Sequence, residues 1–173
     1  MTATVGVEKS VVIDRVLHWV SALLVLFMLM EMGGQIHLTD YQVKGFVDHR
    51  YDAYVTHMAL GGLLTLFLIA RLFWSHKHPS LAKRLNFSGP FHRHFVSIYH
   101  KLFYLILFVM VVTGVIAMGN GEVIIALGDS QIFPFEQVNK RLFNQALDIH
   151  LFLEDLLYLY ILVHVLGALH NKK

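Results

Sequence analysis

The sequence predicts an all-α protein, a transmembrane four-helix bundle, and three observations carry that prediction. Of its 173 residues 56% are hydrophobic and only 15% are charged, where a soluble domain carries about a quarter charged residues. The apolar residues gather into four runs, each holding fifteen to twenty consecutive uncharged positions. Such runs are near the length needed to cross about 30 Å of hydrocarbon, and a helix is the only open structure that satisfies its own backbone there. The connecting segments are short, so residues 1–173 read as a single membrane domain.

The first helix is expected at about residues 11–33, with fifteen uncharged positions between Arg15 and Glu31. It follows Met1 to Ser10 directly, with no small-residue cleavage site after it, so no cleavable signal is expected. The second is expected at about 53–74, on the eighteen uncharged positions between Asp52 and Arg71. The third, about 97–120, holds the twenty between Lys101 and Glu122. The fourth, about 146–170, is uncharged from Asp155 past His170. The first and fourth span only if their polar ends sit in the interface.

The loops predict an orientation. From Arg71 through Lys101 there are six Lys or Arg and no Asp or Glu. The other two loops mix both signs, with Glu31, Asp40 and Asp48 in the first and Glu122, Asp129, Glu136 and Asp148 in the third. The chain ends in Lys172 and Lys173. Positive-inside logic places the basic loop and both termini in the cytoplasm, and attraction of that loop to anionic lipid predicts the same side.

Twelve histidines and no cysteine direct the chemistry. Without cysteine the chain has no c-type haem attachment motif, no cysteine-ligated iron–sulfur cluster and no internal disulfide. The fourth helix, DIHLFLEDLLYLYILVHVLGALH, carries His150 and His164 fourteen residues apart. On a helix that spacing returns a side chain to within about 40° of the same face and advances it about 21 Å, roughly two-thirds of the hydrocarbon core. Polar side chains at such depth are functional by default, and two stacked redox centres, one per leaflet, are what this spacing suits. Their opposite ligands come from the other helices. His57 begins the second helix on the outer side and pairs by depth with His150. His18 and His100 both enter from the cytoplasm, and layering leaves either as the partner of His164. Two neutral imidazoles from facing helices are the ligand set of haem b.

Other positions fall into the same register. Arg71 stands fourteen residues beyond His57, and Arg15 lies one turn before His18, both where a haem propionate wants a cation. Gly114 stands fourteen beyond His100, and Gly61 and Gly62 lie one turn below His57. These glycines leave room for a flat macrocycle near the backbone, or they mark ordinary small-residue packing between membrane helices.

The stretches DRVLHWVSALL, THMALGGLLTLFLIARLFW, SIYHKLFYLILFVMVVTG and the double-histidine helix ending in LVHVLGALH resemble, in order and over nearly the whole chain, the bacterial cytochrome b561 family. That family looks related to the cytochrome b subunits of nickel–iron hydrogenases and formate dehydrogenases. The resemblance implies two haems b, the periplasmic one held by His57 and His150 and the cytoplasmic one by His18 and His164. It places His100 near the inner haem or a quinone. The chain departs from the family around His150, where Ile149 and Leu151 replace the usual Trp and Glu, and Glu154 and Asp155 follow one turn deeper.

Those two acids are the candidate catalytic residues, with His100. Within a membrane helix they need protein, water or a cation to face. They suit proton exchange with a quinone, or else snorkel at the interface. His76, His78, His92 and His94 in the basic loop, and His37 and His49 in the first loop, read as solvated or as a weak surface metal site. His170 reads as interfacial.

The resemblance implies a free-standing di-haem cytochrome of the bacterial inner membrane that moves electrons between ubiquinone or menaquinone and a periplasmic redox protein or superoxide. The alternatives are a membrane-anchor subunit of a larger dehydrogenase or hydrogenase, and a histidine-lined metal or proton transporter without haem. Membrane lipid and quinone are the expected partners, and nucleic acid is not one.

Overall fold

The computed structural model describes residues 2–42, 47–78, 90–121, 125–127, 130–133 and 138–170. Four long helices dominate: α1 (Thr2–Gln42), α2 (Val47–Lys77), α3 (Pro90–Asn120) and α4 (Lys140–His170). Each contains a stretch long and apolar enough to cross a membrane, namely Ser10–Glu31, Asp52–Lys77, Arg93–Asn120 and Lys140–Leu169. The four expected helices are therefore present, and the fold is all-α and multi-pass.

Every helix is longer than hydropathy alone implied. Hydropathy marks where lipid ends, but intrahelical hydrogen bonding continues into water wherever the local sequence allows it. Two caps show how. Pro90 opens α3, at the position where its fixed φ suits a helix and its missing N–H is no loss. Asn139 caps α4: its Oδ1 accepts the backbone N–H of Leu142 at 3.1 Å, and its carbonyl accepts that of Phe143 at 2.9 Å. α4 accordingly begins six residues before the expected 146.

Between α3 and α4 the chain forms a short antiparallel hairpin, β1 (Ile125–Leu127) with β2 (Ser130–Phe133). Ile125 pairs with Phe133 and Leu127 with Ser130, and the register is irregular after Ile125. The sequence reading held only a loop here. Strands of three and four residues are too short for alternation to announce them.

The chain divides into two compact units, residues 1–87 and 88–173. The first is the antiparallel pair α1–α2. Among the described residues its buried hydrophobic side chains are Val25 and Leu29 on α1 and Leu64 and Leu68 on α2, each couple one turn apart on one face. Ser21 and Thr65 turn their hydroxyls back to the carbonyls of Leu17 and Gly61, both at 2.7 Å, which satisfies them without a partner helix. The indole N–H of Trp74 donates to the Ser10 carbonyl at 3.2 Å. With Met28 lying against Gly61, that contact sets the register of the pair.

The second unit is the antiparallel pair α3–α4, packed on Ile106, Leu107, Ala117, Ala146 and Leu157. Tyr99 stacks on Tyr160 at 4.5 Å, and Gly121 meets Phe143 at the opposite end. On all four helices large apolar side chains remain exposed, among them Phe27, Leu66, Phe108 and Leu162. Helices that are apolar on their outward faces have lipid as their natural solvent.

Candidate functional site

In the α3–α4 unit the site residues lie at two levels, a basic end where α3 begins and an acidic end opposite. On α4, His164 lies toward the basic end and His150 toward the acidic end. The register of the pair places His100 beside His164 and Gly114 beside His150. Both α4 histidines are thus contacted by α3.

His150 is the more tightly set. Its Nδ1 lies 2.9 Å from the carbonyl oxygen of Met110 and 3.1 Å from Thr113 Oγ1. A carbonyl only accepts, so Nδ1 carries the proton and donates, and Nε2 is the nitrogen that keeps its lone pair. This is the tautomer of an axial ligand held by its second nitrogen. The ring reaches the carbonyl because α3 has no side chain at Gly114, where a Cβ would stand 3.3 Å from Cε1 and 3.6 Å from Nδ1 of His150. The glycine makes room for the imidazole itself, a more specific role than space for a macrocycle. These residues fit the haem that the resemblance implies.

At the basic end His100 meets His164 edge-on, with ring centroids 6.2 Å apart and planes at 89°. His100 Nδ1 donates to the Val96 carbonyl one turn back at 2.7 Å, so its ring is oriented by its own helix. His164 stays exposed while touching it. Next to them the Tyr99 hydroxyl donates to the Tyr160 carbonyl, and Phe103 closes on Tyr160 at 6.2 Å. Within this unit the structure brings His100 to His164.

In the first unit His18 packs edge-on against Trp19 at 5.7 Å, and both His18 and His57 are half-buried. Arg15 is exposed and Arg71 half-buried. The Ser10–Trp74 contact puts Arg71 near the level of Arg15 at one end of this pair. His57 lies toward the other end of the pair, near the level of Glu31. The two expected ligand pairs, His57 with His150 and His18 with His164, each take one histidine from each unit. Of the glycines here, Gly61 has Met28 Cε at 3.6 Å, an ordinary packing contact, whereas Gly62 faces open space. Small-residue packing accounts for Gly61.

The adjacent acids separate by role. Glu154 is half-buried and receives a hydrogen bond from Tyr158 one turn on, while Asp155 is exposed. In the basic loop His78 stacks on Trp74 at 4.3 Å, its Nδ1 3.1 Å from the Trp74 carbonyl, so it finishes α2. His76 and His94 are exposed. The side chains of His37, His49, His92 and His170 lie outside the described residues. Among the described residues no three His, Asp or Glu side chains converge as a metal site would need. Axial ligation by two imidazoles asks for no such group.

Sequence reasoning missed Thr113 and the Met110 carbonyl. The hydroxyl had a signal, a small polar residue directly before Gly114 at the level of His150. The carbonyl had none, because a backbone acceptor carries no sequence signature.

A family model described as prokaryotic cytochrome b561 matches residues 12–173. No curated protein and no solved structure matches the chain.

Proposed function

This chain belongs to the prokaryotic cytochrome b561 family, and on that premise we propose that it is a free-standing di-haem b cytochrome of the bacterial inner membrane, with both termini cytoplasmic. The coarse activity, membrane electron transfer by a b-type cytochrome, comes with the family. The finer reading is that electrons pass between the quinone pool, ubiquinone or menaquinone, and superoxide or a periplasmic redox protein.

His57 and His150 hold the periplasmic haem, and His18 and His164 the cytoplasmic one. Haem b, when bound, would supply one-electron exchange between ferric and ferrous iron. The chain's own residues do the rest. Arg15 and Arg71 neutralise propionates at the cytoplasmic level, through charge-assisted hydrogen bonds. His100 orients His164 from α3 and lies where a quinone approaches the inner haem. Glu154, with Tyr158 on its carboxylate, exchanges the protons that accompany quinone chemistry, and exposed Asp155 links it to water. The exposed apolar side chains keep water from the span between the two levels.

The observation that supports the reading best is the seat of His150, whose Nδ1–H is committed to the Met110 carbonyl. The test is haem quantification on the purified chain, with reduction by quinol and by superoxide. Two haems b per chain and reduction by one of these donors are expected. A chain purified without a Soret band overturns the reading in favour of a haem-free transporter, and a large metal subunit that co-purifies overturns the free-standing form.

A further inference from the structure

We infer that Thr113 is a positioning residue for the outer haem ligand: its hydroxyl fixes the imidazole of His150 and sets the reduction potential of the haem that His150 binds. The inference rests on the reading of His150 as an axial ligand.

Four atoms carry it. Thr113 Oγ1 lies 2.9 Å from the carbonyl oxygen of Val109 and 3.0 Å from that of Met110. It also lies 3.1 Å from His150 Nδ1, which is itself 2.9 Å from the Met110 oxygen. One hydroxyl has one proton. The Met110 oxygen already receives the His150 N–H, and the Val109 oxygen is nearest to the hydroxyl. The Thr113 proton therefore goes to Val109, and a lone pair of Oγ1 is left facing His150 Nδ1–H. The imidazole N–H is shared between two acceptors, one from the backbone and one from the side chain.

The geometry divides the labour on this turn of α3. The Met110 carbonyl fixes which nitrogen bears the proton. Gly114 opens the approach, since a Cβ there would crowd Cε1 at 3.3 Å. Neither fixes rotation of the ring about its bond to Cβ. The second acceptor does, because two acceptors on either side of one N–H hold the ring at one angle. Thr113 is buried, 6% exposed, so no water competes for the position. β-Branching holds it, as χ1 of a helical Thr is confined to the rotamers that let Oγ1 bond back along its own helix.

The electronic consequence has a sign. An acceptor on Nδ1–H draws the proton away and makes Nε2 a stronger donor to iron. A stronger donor favours the ferric state and lowers the potential. Removing the hydroxyl raises it.

The experiment is redox titration of the haem-loaded protein as wild type, Thr113→Val, Thr113→Ala and Thr113→Ser, with low-temperature spectra and electron paramagnetic resonance of the oxidised form. A hydrogen bond of ordinary strength is worth about fivefold in an equilibrium. The Val and Ala variants should therefore raise the midpoint of one haem by about 40 mV, at 59 mV per tenfold for one electron, and should alter the resonance signature of that haem alone. The Ser variant should restore both. The other haem, lost in His164→Ala and retained in His150→Ala, should not move. Should the Val variant fail to accumulate, the smaller Ala variant gives the same readout.

Unchanged potential and resonance in both Val and Ala variants, with two haems bound, overturn the positioning role while leaving His150 a ligand. A shift that Ser does not restore overturns it too, by assigning the effect to packing. If His150→Ala keeps both haems, the ligand reading itself fails, and the positioning role with it.

Discussion

The two helix pairs hold themselves together by different means. In α1–α2 two contacts that set the register, Trp74 on Ser10 and Met28 on Gly61, join residues with no part in the proposed chemistry. In α3–α4 the site itself takes part in them: His100 meets His164, and Met110, Thr113 and Gly114 meet His150, beside the packing of Tyr99 on Tyr160 and Gly121 on Phe143. The second pair orients both its α4 histidines from within its own fold. The proposed opposite ligands, His18 and His57, stand on helices with register contacts of another kind. Ligand chemistry and helix packing are thus one problem in α3–α4 and two separable problems in α1–α2.

The largest effects that test this contrast come from removing imidazoles. His57→Ala and His150→Ala should each lose one haem equivalent and leave the same residual spectrum. His18→Ala and His164→Ala should each lose the other haem. His100→Ala should keep both haems while shifting the inner one's spectrum, because it removes a neighbour of His164 and no ligand. Haem quantification with low-temperature spectra is the measurement. Two haems in His18→Ala and one in His100→Ala would move the inner ligand pair entirely into α3–α4.

Next in size is one substitution made in both pairs. Gly114→Ala puts a methyl group 3.3 Å from His150 Cε1, and should weaken retention of the outer haem by about tenfold or more. Gly61→Ala makes an ordinary 3.6 Å contact with Met28. It should keep its haems and gain up to about 1 kcal/mol of helix stability, read by thermal unfolding in detergent. Equal haem loss in both variants would erase the difference between the pairs.

The smallest effect concerns Glu154 and Asp155, which lie on α4 between its two histidines. Glu154→Gln should slow quinone-linked turnover by roughly tenfold at full haem content. That is below the about hundredfold of direct general acid–base catalysis, since interfacial water replaces part of a relay. Asp155→Asn, at an exposed position, should slow it less. Unchanged turnover across pH in both variants would leave the acids as interfacial charges.

The spans were legible because lipid imposes a rule that composition records directly: from Asp52 to Arg71, or Lys101 to Glu122, no charge interrupts. The two levels were legible because α4 repeats histidine at fourteen residues, and a helix converts that count into depth. Helix ends were not, since the rule lapses in water, and Asn139 acts as a cap only once Leu142 and Phe143 are known to face it. Nor was the choice between His18 and His100. Hydropathy gives both the same expected depth on different helices, and choosing between them takes lateral packing, which a linear pattern does not encode. Gly114 was placed at the level of His150, but that the imidazole itself packs against it is a matter of side-chain contact that spacing does not encode.

The matched register of α3 and α4 also constrains how such a chain can change in length. One residue inserted between His150 and His164 turns everything beyond it by about 100° and lifts it about 1.5 Å. Whichever histidine keeps its neighbour, the other swings away from α3. Side chains in that interval can be exchanged one hydrophobe for another, but the interval itself is a measured length. It changes only if α3 gains or loses the same residue between His100 and Gly114, so the two helices behave toward insertions and deletions as a single edited unit.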